Sequence, residues 1–102
     1  MYRHLVYGQV RMGEWQEFYE LYTQLAEVVR AKNYTPRQLW GPTVGTFNAF
    51  MMTSDHESLD AWSRDNTAYH QDADYMKLWR AMCQMLEEPP QDELWETAFQ
   101  IA

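Results

Sequence analysis

Cysteine is nearly missing from this chain: Cys83 stands alone, so no disulfide can close within it. Basic residues are also scarce. Eight Lys and Arg face fifteen Asp and Glu, a net charge of −7, and no Lys/Arg cluster occurs. A nucleic-acid partner requires a basic face that releases counterions, and an anionic membrane surface attracts basic segments, so neither partner is expected. No apolar run approaches the ~20 residues of a membrane span. Arg3 and His4 interrupt any secretory apolar region at once, and cytoplasmic residence is the expectation. His4, His56 and His70 lack metal-ligand spacing, and neither His-X-X-X-His nor Cys-X-X-Cys is present. No metal and no cofactor are therefore expected. A nucleophile elbow, a phosphate loop and a dinucleotide fingerprint are absent too. Cys83 has just Arg80 near it in sequence to lower its pKa, which argues against a nucleophilic thiol.

Aromatic residues are what the chain has in excess. They make up 16% of it, with five Trp and seven Tyr in 102 residues. One domain, 1–102, with one modest core is all that this length supports. The aromatic surplus then points to a second buried surface, either a subunit interface or a ligand pocket.

The periodicities give four strands and three helices, the last two helices forming a pair. Residues 2–12 are rich in Tyr and Val and wet on neither face, which predicts a central strand, with Gly8 marking close approach by another group. Gly13 breaks it. Trp15, Phe18, Tyr22, Leu25 and Val29 recur at steps of three and four, predicting a helix over 14–32, ended by Asn33 and Pro36. A second strand begins at Arg37, bends at Gly41-Pro42, and continues through Val44 as a sheet edge. A third covers 46–53, apolar on both faces except at Asn48. Ser54-Asp55 or Ser58 caps the next helix, whose Leu59, Trp62, Asn66 and His70 share one face. A break near Gln71, with Asp72 or Asp74 as a fresh cap, starts another stripe from Tyr75 to Leu86. The break makes His70 face inward. Pro89-Pro90 end that helix, and a last strand covers 93–101 with Trp95, Thr97, Phe99 and Ile101 toward the core.

This order predicts an α+β fold: a ferredoxin-like split βαβ, with a four-stranded antiparallel sheet and its helices on one face. The other face is left bare, so a homodimer through that open face, forming a dimeric α/β barrel, is expected.

Several segments carry a resemblance: Met12-Gly13 leading into 17–22, then 45–62, then 69–79. Gly45-Thr46-Phe47-Asn48 matches a Gly-X-X-Asn strand, Ser58-Leu59 a helix start, and 72–74 an aspartate-led second helix. On these the whole chain resembles the dimeric α+β barrel superfamily and, within it, NIPSNAP-like proteins. That superfamily contains cofactor-independent monooxygenases of aromatic polyketides, muconolactone-type isomerases and haem-degrading enzymes. The resemblance implies a pocket between sheet and helices. It also sets Ala68-Tyr69-His70 where the haem-degrading branch has an iron-binding histidine, without the rest of that branch's pattern.

Among the side chains, His70 is the candidate catalytic residue, because a neutral imidazole exchanges protons near neutral pH. His4 on the first strand, Asn48 on a neighbouring strand read as parallel, and Asn66 one turn before His70 would line one polar cavity. Trp62 and Tyr69, with Trp40 and Trp79, would wall a planar ligand; a packed core is the competing reading. His56, between Asp55 and Glu57, reads as solvated. The functional expectation is a protein that binds a small, partly aromatic molecule. The alternatives are a cofactor-independent oxygenase or isomerase using His70, and a haem-binding or haem-degrading protein.

Overall fold

Alternation along the first strand, β1 (Tyr2–Gln9), divides the molecule into two sides. His4 and Val6 are buried, Arg3 is exposed, and Leu5 and Tyr7 are half-covered. The computed structural model describes residues 1–98, in which β1 is followed by α1 (Trp15–Ala31), β2 (Gln38–Trp40), β3 (Ala49–His56), α2 (Leu59–Gln71), α3 (Ala73–Cys83) and β4 (Gln91–Glu96). The sheet order is β2-β3-β1-β4, and every neighbouring pair is antiparallel. β1 and β3 are central, as their two-sided apolarity predicts. This is the α+β, ferredoxin-like arrangement expected from the sequence.

The core lies between the even-numbered face of β1 and the helices. Val6, Val10, Phe50 and Met52 from the sheet meet Phe18, Leu25, Tyr69, Tyr75 and Met82 from the helices, all buried. Burying such a side chain contributes about 1.5–3 kcal/mol. Gly8 pairs with Phe50, and a Cβ on Gly8 would come within 3.2 Å of the Phe50 ring. That is the close approach this glycine signals. Asn33 takes a left-handed φ of 57° after α1, as its place before Pro36 suggests. Among the described residues, no helix is long and apolar enough to cross a membrane.

Element ends differ from expectation in four places. β1 stops at Gln9, and Val10 keeps a single bridge to Leu86. β2 ends at Trp40, so Gly41-Pro42 and Thr43-Val44 form a loop rather than a continued strand. β3 is displaced three residues toward the C-terminus. Its pairing with β1 runs on to Tyr2↔His56, while Asn48, at φ 59°, turns the chain just before the strand. Ser54-Asp55 is therefore strand and not a cap; Asp55 accepts two hydrogen bonds from Arg3, at 2.7 and 3.0 Å. Ser58 caps α2 through Ala61 N–H at 3.1 Å. In β4 it is Leu94 that pairs with buried His4, while Trp95 is exposed on the open face. Phe99 and Ile101 lie outside the described residues.

Candidate functional site

Register brings two histidines together on the helix-covered face. His4 on β1 pairs with Ser54 on β3, and Tyr2 pairs with His56. All of His4, Ser54 and His56 are buried. His4 Nε2 lies 2.5 Å from Asp92 Oδ1 of β4, and Trp62 of α2 meets the ring edge-on at 5.9 Å. Burial pulls the His4 pKa below its ordinary value, against the opposing pull of Asp92. A pair with Asp92 at 66% exposure is too well solvated to reverse that. The ring is therefore neutral at pH 7 and donates Nε2–H to the carboxylate, which fixes its tautomer. His56 Nε2 lies 2.8 Å from Ser54 Oγ, with Asp65 at 3.5 Å from Nδ1. Burial lowers its pKa as well.

A cavity of about 150 Å³ opens between this face and α2/α3. His4, Val6 and Met52 form its floor, Tyr69 and Trp79 its walls, and Asn66 and His70 stand at its rim. The sequence expected His70 to point inward. It is instead exposed, its Nδ1 engaged with the Asn66 carbonyl one turn earlier at 2.7 Å. Tyr69, in the same last turn of α2, is buried and takes the packed position, which leaves His70 one step round the helix from it.

Asn48 is a second correction. Because β1 and β3 run antiparallel, it sits at the far end from His4, where its carbonyl accepts from Val10 N–H. It belongs to a surface hollow with Trp15 and Phe47. Tyr69 lines the cavity, whereas Trp62 does not and instead meets the far side of the His4 ring edge-on. Trp40 lies on the opposite face, its indole N–H donating to Thr53 at 2.9 Å. His56, read as solvated, is buried. It continues the alternation of Phe50, Met52 and Ser54 on the buried face, a pattern that the acidic residues beside it mask in the sequence. Asp92 falls just outside the last strand as read from the sequence, which starts at 93 where β4 starts at Gln91, and Arg37 opens a strand read mainly for its apolar residues.

Cys83 is no nucleophile: burial pushes its thiol up to about 11. Among the described residues, no group of acidic, histidine and cysteine side chains is arranged to hold a metal.

No protein-family model matches the sequence, and no curated protein does either. Solved structures do. A NIPSNAP domain protein from Burkholderia xenovorans superposes with a TM-score of 0.79 at 14% identity, over 100% of both chains. The fold is NIPSNAP-like. A NIPSNAP family protein from Agrobacterium tumefaciens gives 0.77 at 14% identity, covering 96% of this chain and 94% of that one. The NIPSNAP-like fold is shared with an antibiotic biosynthesis monooxygenase, at 0.76 and 11% identity over 96% and 99%.

Proposed function

We propose that this NIPSNAP-like chain binds one small, partly aromatic molecule between sheet and helices, with His4 as the group that exchanges a proton with it. The observation that supports this most is a buried imidazole, neutral at pH 7 and held by Asp92, on the floor of an aromatic-walled cavity. A ring held this way is oriented before the ligand arrives. The cavity volume matches one that holds a single benzene-sized ring. A porphyrin does not fit such a space, and His70 at the rim is not a wall for one. The haem reading is set aside on those grounds.

A second reading, a cofactor-independent oxygenase or isomerase, draws support from the monooxygenase named among the structural neighbours and from the same His4–Asp92 pair. Proton transfer then passes to His4 rather than to His70. The open sheet face carries Leu5, Tyr7, Trp40, Met51 and Trp95, an apolar surface that suits a second copy of the chain packed sheet to sheet.

The test is a titration of wild type, His4→Gln and His70→Gln with small phenols, read by amide NMR shifts. His4→Gln should weaken binding about tenfold, the effect of one lost buried hydrogen bond. His70→Gln should bind as wild type does. The reverse order would move the site to the rim and refute the proposal.

A further inference from the structure

In a chain with nearly twice as many carboxylates as cations, one half-buried arginine has no carboxylate partner among the described residues. Arg37 precedes β2 in a segment tied down from two helices: Tyr22 of α1 donates to the Arg37 carbonyl at 2.9 Å, and Tyr69 of α2 donates to the Thr35 carbonyl at 3.2 Å. The guanidinium lies 4.6 Å from the centre of the Tyr69 ring and 5.9 Å from that of Tyr75. Among the described residues it forms no salt bridge, and its Nε is buried without an acceptor.

Acidic side chains of β4, of α2 and of the joint between α2 and α3 are already engaged. Asp92 holds His4, Asp65 accepts from Thr35 and faces His56, and Asp72 binds Lys32 and Tyr34. Arg3 and Lys32, by contrast, both have carboxylate partners. A sealed guanidinium N–H without an acceptor is costly, and the fork geometry of arginine matches a carboxylate with two parallel hydrogen bonds. Arg37 lines the His4 cavity and also a hollow of about 300 Å³ against α1, so an anion beside it can be reached from either side.

We infer that Arg37 is the carboxylate-recognising residue of the cavity, and that the ligand class is a small carboxylic acid on a single flat ring or a frame of that size. The carboxylate meets the guanidinium on its Nε–H side, which has no acceptor, and the carbon body lies among Tyr69, Trp79 and Met52. This rests on the cavity reading above and adds the charge of the ligand to it. Stacking on Tyr69 holds the guanidinium in place and leaves its N–H edge for the anion.

The experiment compares benzoate with its neutral isostere benzamide by amide NMR titration of the full chain, in wild type, Arg37→Gln and Arg37→Lys. Benzoate should bind wild type at least about tenfold more tightly than benzamide. Arg37→Gln should erase that preference and keep benzamide binding. Arg37→Lys, which retains charge and packing stem, should keep part of the preference and serves if the glutamine variant does not fold. Equal binding of the two probes to wild type would overturn the carboxylate inference and leave the cavity reading standing. Absence of shifts from both probes would overturn the two together.

Discussion

A buried imidazole that resists protonation ties the stability of the fold to pH. His4 and His56 both have pKa values below the ordinary histidine value, through burial first. Above about pH 6.5 both rings are neutral folded or unfolded, and they cost nothing. As pH falls below that, the unfolded chain takes up protons that the folded one refuses, so stability declines until the folded pKa values are reached. Facing these rings are Asp92, Asp65 and Asp55, which oppose the shift, and Arg37, which reinforces it. The expected outcome is a melting temperature that drops between pH 7.5 and 5, with a flatter profile in His56→Gln and in His4→Gln. A profile with no slope in that window, or variants as steep as wild type, would contradict this. His4 was legible from the alternation of its strand. His56 was not, because the acidic residues on either side of it read as a solvated cap until pairing with β1 carried the strand through them.

The joint between α2 and α3 depends on one carboxylate. Asp72 Oδ1 accepts from Tyr75 N–H at 3.0 Å and so caps α3, while Oδ2 takes Lys32 Nζ at 2.7 Å and the Tyr34 hydroxyl at 2.6 Å. The Lys32 ammonium, then Tyr34 and the Tyr75 N–H, hold its pKa well below the usual carboxylate range. Its contribution is fully present above the ordinary Asp pKa and is lost as pH falls through the folded value. Asp72→Ala should cost roughly 1–2 kcal/mol in urea unfolding at pH 7, combining a lost cap with a pair whose lysine side is solvated. A cost under about 0.5 kcal/mol would show the joint to be held by packing alone. The break and its aspartate cap were visible in the sequence, since the apolar stripe changes phase there. What that phase change did not reveal is where His70 would end up. The stripe that His70 shares with Leu59, Trp62 and Asn66 runs along the margin of the packed face while Tyr69 takes its centre, and periodicity alone does not say which side of a stripe is covered. The loop before β3 was misread for a related reason. Thr46 and Phe47 have strand-like side chains, but the left-handed turn at Asn48 is a backbone property set by tertiary pairing.

The described chain measures 41 × 34 × 20 Å along its principal axes, and the sheet face turned away from the helices is partly apolar. Trp40 and Trp95, 48% and 62% exposed, lie on that face with Leu5 and Met51. Sedimentation at micromolar concentration should show a dimer, and Trp40→Glu should shift it to monomer; a monomeric wild type would sink the pairing. The fold itself was legible from element order alone, because right-handed crossovers leave few ways to arrange two βαβ halves. The ligand was not, since it depends on which faces of several elements converge. That convergence can be read through the methionine methyl groups. Met52 and Met76 line the cavity beside His4, whereas Met51 faces the open side. With 13C-labelled methionine methyls, adding benzoate should move the signals of Met52 and Met76 and leave Met51 in place. Movement of Met51 with Met52 and Met76 unchanged would put the ligand on the wrong face of the sheet and contradict the account.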